Sequence, residues 1–164
     1  MPLSLPCCRR GSPNARTVNC ERKEFLKTKA IDHICIAVKD LDRARCIYED
    51  TLGLELSVEY TAETEKIRVA RYYLGEVALE LMESTAPDGD VARFIEKRGE
   101  GVFLISYRVE NVQGTLDELR AAGKKTIDSQ PRELMGSRYA FIMPPHETCG
   151  VLTEIIDGNF DPQT

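Results

Sequence analysis

The sequence lacks the features that would tie it to nucleic acids, membranes or the outside of the cell. Its 22 Lys and Arg residues are outnumbered by 27 Asp and Glu, for a net charge of −5. This balance argues against a general role in binding phosphate backbones. No apolar run approaches the roughly 20 residues that cross a bilayer. The six cysteines follow no secretory signal and have no paired spacing, which favours a reducing, cytoplasmic compartment.

The chain's 164 residues suit one domain, or two half-domains that share a core. Residues 1–29 have no hydrophobic periodicity and no acidic side chain before Glu21. We therefore predict that 1–29 is a disordered or over-extended segment outside the fold. The alternative is an organelle-targeting leader, because the acid-free part carries Arg9, Arg10 and Arg16.

Residues 31–40, IDHICIAVKD, alternate over the length of a strand. Successive side chains of a strand point to opposite faces. One face of this strand therefore carries Ile34, Ile36 and Val38, and we expect it to lie beneath a helix. The opposite face would carry an imidazole into a cleft, since its side chains are those of His33, Cys35 and Ala37.

The same pattern returns about seventy residues later in 101–119, GVFLISYRVENVQGTLDEL. Aligning His33 with Leu104 brings the apolar face back into phase, for example Ile34 with Ile105. We interpret this as an internal duplication, which determines how the rest of the fold is predicted.

Each copy predicts a strand, a helix and three further strands. The first unit covers 30–84, a linking helix lies within 85–100, the second unit covers 101–157, and 158–164 form a tail. One of the short strands in the second unit is predicted near 124–128. The predicted fold is therefore α+β, with two βαβββ repeats that form a half-barrel cleft.

Glu80 and Glu154 lie in the last predicted strand of each unit, within the apolar runs VALELME and GVLTEII. A buried lone glutamate costs several kcal/mol unless it is paired, hydrogen-bonded or bound to a metal. If the units pack about a pseudo-twofold axis, both converge with His33 and Leu104. One imidazole and two carboxylates suit a divalent ion with open positions. The alternative is a structural His33 that is hydrogen-bonded to Asp32.

The succession of DHICIAV, LGLEL, VALELMESTAPDGDVARFIEKRGEG and GVLTEI resembles the vicinal oxygen chelate superfamily, which has the glyoxalase-like fold. Within it, the sequence is most similar to the methylmalonyl-CoA epimerases, over about residues 30–157. The resemblance implies a divalent metal held by His33, Glu80 and Glu154. Leu104 stands where those epimerases have a fourth ligand, a histidine. The identity of the ion, among Co, Zn, Mn, Ni, Mg and Fe, stays open.

The resemblance also implies proton transfer at the carbon alpha to a thioester, through a metal-stabilised enolate, on an acyl-CoA or dicarbonyl substrate. Glu154 would act both as a ligand and in proton transfer, and Arg108 and Arg68 are predicted to bind the substrate's anionic groups. A homodimer is implied as well. Two alternatives stay open: a metal-free protein that binds small molecules, which Leu104 would suit, and another metalloenzyme of the glyoxalase or dioxygenase type.

Overall fold

The computed structural model describes residues 26–162; the predicted terminal segment 1–29 lies outside them except for its last four residues. The first half of the fold contains β1 (Ala30–Ala37), α1 (Leu41–Cys46), β2 (Leu56–Ala62), β3 (Ile67–Leu74) and β4 (Val77–Ser84). Helix α2 (Asp90–Arg98) leads to the second half, which contains β5 (Gly101–Arg108), α3 (Val112–Ala121), β6 (Arg132–Leu134), β7 (Ser137–Met143) and β8 (Leu152–Gly158).

All eight of these strands belong to one sheet, in the order β2-β3-β4-β1-β5-β8-β7-β6. The first strands of the two halves, β1 and β5, pair antiparallel at its centre. Each of them pairs in parallel with the last strand of its own half, β4 or β8. The order is therefore the same read outward from the centre in either direction. The predicted α+β fold, two βαβββ repeats forming a curled half-barrel, is confirmed.

The two halves begin their helices in the same way. Asp40 caps α1 by accepting a hydrogen bond from the backbone N–H of Arg43 at 2.9 Å. Asn111 caps α3 by accepting one from the N–H of Gly114 at 2.7 Å. Both are residue types that satisfy the free N–H groups of a first helical turn, and each lies three residues after the end of a central strand.

The predicted alternation in β1 decides which side chains enter the cleft. Ile36 and Val38 pack in one cluster with Leu41 of α1. Cys35 and Ala37 pack in a different cluster, which includes residues of α2. The helix α1 thus covers one face of the sheet, and the opposite face carries the polar side chains of β1. Among residues 26–162, no helix has the length and apolar character needed to cross a membrane.

The prediction of a strand near 124–128 is wrong. That segment is irregular, and the edge strand is instead the three-residue β6. The carboxylate of Asp128 accepts a hydrogen bond from the backbone N–H of Phe141 at 2.9 Å, and it also binds the guanidinium of Arg132 at 2.8 Å. The backbone N–H of Asp128 in turn donates to the carbonyl oxygen of Phe141 at 2.9 Å. Asp128 is therefore linked to β7 by both its backbone and its side chain.

The ends of the described chain join the fold more closely than expected. Lys29, in the predicted terminal segment, donates its backbone N–H to the carbonyl oxygen of Arg108 at 2.9 Å. Phe160, in the predicted tail, packs its ring 5.3 Å from that of Tyr60. The tail thereby contributes a wall to the cleft.

Candidate functional site

A cavity of about 470 Å³ opens on the face of the sheet opposite α1. This volume lies within the range of small-molecule sites. Five buried polar residues lie in its lining, each at most 6% exposed: His33, Arg71, Glu80, Ser137 and Glu154. Apolar side chains supply much of the rest of the wall, among them Phe94, Phe103, Phe141, Leu152 and Phe160.

The imidazole of His33 lies between three carboxyl groups. Its Nδ1 lies 2.8 Å from Oδ1 of Asp32, and its Nε2 lies 3.4 Å from Oε1 of Glu154 and 3.8 Å from Oε2 of Glu80. Burial lowers the pKa of His33, but the charges of Glu80 and Glu154 and the bond to Asp32 outweigh it, so that the pKa is raised. The structure thus brings together the three predicted metal ligands, and it also shows the predicted bond to Asp32.

Asp32 links His33 to two arginines. It accepts hydrogen bonds from the guanidinium groups of Arg108 and Arg71. Burial alone would raise the pKa of Asp32, but the hydrogen bond from His33 and the positive charges around it lower the pKa to about 2. Asp32 is therefore an anion at neutral pH and fixes the orientation of the imidazole.

Glu80 is bound through both of its oxygens. Oε1 accepts hydrogen bonds from Arg71 Nη1 at 2.5 Å and from the Tyr60 hydroxyl at 3.1 Å. Oε2 accepts one from the thiol of Cys35 at 3.2 Å. Burial raises the pKa of Glu80, but the nearby His33 and Arg71 outweigh it and the pKa is lowered. Glu80 is therefore ionised, with Oε2 turned toward the imidazole.

Glu154 has no guanidinium beside it among the described residues. Its Oε1 is buried and has no hydrogen-bond partner among residues 26–162. Burial raises the pKa of Glu154 to about 7, although the charge of His33 acts in the opposite direction. A carboxyl group with this pKa exchanges its proton near neutral pH, which is a property of acid–base groups in active sites.

These residues fit a divalent ion. The imidazole presents Nε2 because Nδ1 is held by a carboxylate, an arrangement that is usual for metal-binding histidines. The ion would give Oε1 of Glu154 the partner it lacks, and Arg71 leaves Oε2 of Glu80 available. Donor atoms of His33, Cys35 and Glu80 lie within 4.8 Å of one another and form a candidate metal site.

Neither of the two arginines predicted to bind substrate lines the cavity. Arg68 lies on the opposite face of β3 and binds Asp42 and Glu59 at 2.8 and 2.7 Å. Arg108 binds Asp32 and the carbonyl oxygen of Gly158. Arg108 therefore contacts the site through Asp32. The prediction that Arg68 enters the cleft is wrong.

Arg71, which the sequence analysis did not single out, is the arginine of β3 that enters the cavity. Its position alternates with that of Arg68 and matches those of Ile67 and Val69, which are both buried. This phase, readable in IRVARYYL, would have identified Arg71. The guanidinium also lies 4.5 Å from the ring centre of Phe160.

The fourth predicted position is apolar, as the sequence indicated. Leu104 is 2% exposed and lies opposite Cys35 in the β1–β5 pairing. It supplies no donor atom to the candidate site.

The fold and the site together define a glyoxalase-like half-barrel with an imidazole and two carboxylates in its cleft. The chain belongs to the Glyoxalase/Bleomycin resistance protein/Dioxygenase superfamily, whose family model matches residues 30–155.

Individual members of this superfamily are similar to most of this chain. The uncharacterized protein YqjC of Bacillus subtilis is 38% identical over 132 residues, which cover 80% of this chain and 94% of that protein. A methylmalonyl-CoA epimerase solved with methylmalonyl-CoA and NH4+ is 33% identical with a TM-score of 0.72, covering 79% of this chain and 94% of the other. The methylmalonyl-CoA epimerase of Mycobacterium tuberculosis is 30% identical with a TM-score of 0.75, covering 82% and 91%.

Proposed function

We propose that the protein is an isomerase of the methylmalonyl-CoA epimerase type, which moves a proton at the carbon alpha to a thioester carbonyl. The observation that carries this proposal is the buried group of His33, Glu80 and Glu154 in the cavity wall, in which Oε1 of Glu154 lies 3.4 Å from the imidazole. A carboxyl group beside a bound substrate can accept a proton and return it. The solved relative that holds methylmalonyl-CoA supports an acyl-CoA as the substrate.

A divalent ion is the proposed cofactor, held by His33, Glu80 and Glu154. Bound there, it would supply Lewis-acid stabilisation of the negative charge that develops on the substrate's carbonyl oxygens. Asp32 keeps the imidazole in the tautomer that presents Nε2, and Arg71 fixes the orientation of Glu80. The geometry of these donors is thus set by the chain before any ligand arrives.

Two other parts of the cavity support proton transfer. Tyr60 donates its hydroxyl to Glu80, and burial raises the pKa of Tyr60 so that it remains a neutral donor. The aromatic side chains of the wall keep water away from the reacting carbon, which strengthens electrostatic interactions within the site. Glu154 is the residue proposed to move the proton.

The test is solvent exchange into the substrate. The protein is incubated with methylmalonyl-CoA in deuterium oxide, with cobalt, zinc, manganese, nickel, magnesium or ferrous ions supplied in turn. We expect deuterium at the alpha carbon, detected by mass spectrometry, well above the rate without protein. Exchange at the uncatalysed rate with every ion would refute the assignment as an epimerase.

A second candidate function is metal-free binding of a small molecule. The aromatic wall of the cavity favours it, and Leu104 at the fourth predicted position removes one donor from the metal site. Metal analysis of the purified protein separates this candidate from the first. A further metalloenzyme activity, of the glyoxalase or ring-cleaving dioxygenase type, is compatible with one imidazole and two carboxylates, and would give metal binding without exchange into methylmalonyl-CoA.

The assembly is proposed to be a homodimer. The edge strands β2 and β6 leave backbone groups that another chain can cover. Analytical ultracentrifugation tests this directly, since a monomer at micromolar concentration would contradict it.

A further inference from the structure

Cys35 is a buried side chain of the site to which the proposed function gives no role. It lies two residues after His33 on the same face of β1 and is completely buried. Its sulfur lies 3.2 Å from Oε2 of Glu80, the oxygen that faces the imidazole. A sulfur atom therefore stands directly beside the proposed metal ligands.

The strand register places Cys35 where a ligand is missing. Cys35 lies opposite Glu80 in the pairing of β1 with β4, and opposite Leu104 in the pairing of β1 with β5. Leu104 is the position whose side chain has no donor atom. The neighbouring strand thus supplies a donor next to the apolar position.

The distances among His33, Cys35 and Glu80 agree with ligands of one ion. In a tetrahedral zinc site the ligand atoms lie about 3.3 to 3.5 Å apart, given bonds of about 2.0 Å to N and O and about 2.3 Å to S. Here the sulfur of Cys35 is 3.2 Å from Oε2 of Glu80. Nε2 of His33 is 3.8 Å from that oxygen and 3.4 Å from Oε1 of Glu154. Donor atoms of His33, Cys35 and Glu80 thus all lie within 4.8 Å of one another, and Glu154 adjoins this group at the imidazole.

Glu154 gives an independent indication that a ligand is needed. Its Oε1 is buried without a hydrogen-bond partner among the described residues, and it points at the same imidazole nitrogen. Buried polar atoms are nearly always satisfied in folded proteins, so an orphaned one calls for a bound group.

We propose that Cys35 is the fourth protein ligand of this ion, which makes the site His33–Cys35–Glu80–Glu154. The inference rests on the metal site of the proposed function and specifies its chemistry. On binding, the thiol proton is released to solvent and the thiolate sulfur becomes the donor. A sulfur ligand favours zinc or cobalt over magnesium and calcium.

Cobalt spectroscopy tests the proposal without an activity assay. The full chain is prepared with serine in place of every other cysteine: Cys7, Cys8, Cys20, Cys46 and Cys149. Titration of this single-thiol protein with Co²⁺ is expected to give one bound ion and an intense sulfur-to-cobalt absorption in the near ultraviolet. Cys35→Ser in the same background should abolish that band, and it should lower the preference for zinc over magnesium by about tenfold or more.

X-ray absorption at the zinc edge gives a second measurement that needs no change at Cys35. The single-thiol protein loaded with one equivalent of zinc should show one sulfur neighbour at about 2.3 Å. This result remains decisive if circular dichroism shows that Cys35→Ser does not fold.

The contrary outcomes separate the inference from the proposed function. One bound ion with no sulfur neighbour and no charge-transfer band overturns the role of Cys35, while the His33–Glu80–Glu154 site stands. No binding of cobalt or zinc overturns both the inference and the metal part of the proposal. The deuterium exchange assay then decides separately whether the protein is an isomerase.

Discussion

The two halves of the molecule place a glutamate at equivalent positions and give it opposite properties. Glu80 on β4 lies opposite Arg71 of β3, whereas Glu154 on β8 lies opposite Phe141 of β7. A guanidinium beside a buried carboxylate favours its charged form, and a phenyl ring does not. Accordingly the pKa of Glu80 is lowered by His33 and Arg71 against the effect of burial, while burial raises the pKa of Glu154 to about 7.

The central strands differ in the same way. Where β1 carries Asp32 and His33, β5 carries Phe103 and Leu104. The first half therefore holds most of the fixed charge of the site, and the second half supplies apolar walls and one carboxyl group that faces His33. A symmetrical backbone thus carries an asymmetrical site. The charged residues that fix the geometry of the site thus lie in the first half, and the residue proposed to move a proton lies in the second half.

The largest effect is expected from removing the carboxyl group of Glu154 in the second half. Glu154→Gln keeps the size of the side chain but cannot exchange a proton, and general acid–base groups contribute about 10²- to 10⁴-fold to rates. We expect a loss of that order in deuterium exchange into methylmalonyl-CoA. Glu133→Gln, at an exposed position of β6, is the matched control and should retain full exchange. An equal rate in both variants would remove Glu154 from the reaction.

The charge pairing of the first half is broken by Arg71→Met. This change leaves Glu80 and Asp32 buried beside one cation fewer, and removing one partner of a buried pair costs about 3–5 kcal/mol. We expect a loss of this size in the free energy of unfolding, measured with urea. The control is Arg120→Met, whose exposed pair with Asp117 should be worth less than about 1 kcal/mol. Similar losses in the two variants would contradict the description of Arg71.

The pH dependence of the free energy of unfolding at acid pH tests the charge of Asp32 in the first half. Its pKa is about 2 in the folded protein against an ordinary value of 3.8, so its stabilisation is present above pH 3.8 and is lost as the pH falls toward 2. By linkage, this lowers its contribution by about 1 kcal/mol between pH 5 and pH 3. The unfolding free energies of the wild type and Asp32→Asn should therefore approach each other by that amount. A difference that stays constant with pH would exclude this coupling.

A change at Leu104 tests the position where the second half has no donor atom. Leu104→His should tighten binding of a divalent ion by about tenfold, measured by titration calorimetry. The gain should be larger in a Cys35→Ser background, because the new imidazole would then replace the lost sulfur. Leu52→His, at an exposed position, is the control. Unchanged affinity in Leu104→His would place the ion elsewhere.

Much of the fold and part of the candidate site followed from the sequence. The convergence of His33, Glu80 and Glu154 was predictable because side-chain alternation and the duplication together place each of them on the cleft face. The choice of Arg68 instead of Arg71 failed because it depends on the phase of one strand, and β3 has basic residues on both faces. The strand predicted near 124–128 does not form: the segment is irregular, and Asp128 is linked to Phe141 of β7 by both its side chain and its backbone.

By itself, the sequence determined the two copies, their strand order and the face on which each polar residue lies. These properties follow from the repeated alternation of side chains between the two faces of a strand, which depends only on neighbours along the chain. Only the tertiary structure decided which glutamate is held as an anion and which one can exchange a proton. The ionisation of a buried carboxyl group depends on dehydration and on charges a few ångströms away, and here the charges come from strands that meet only when the sheet forms.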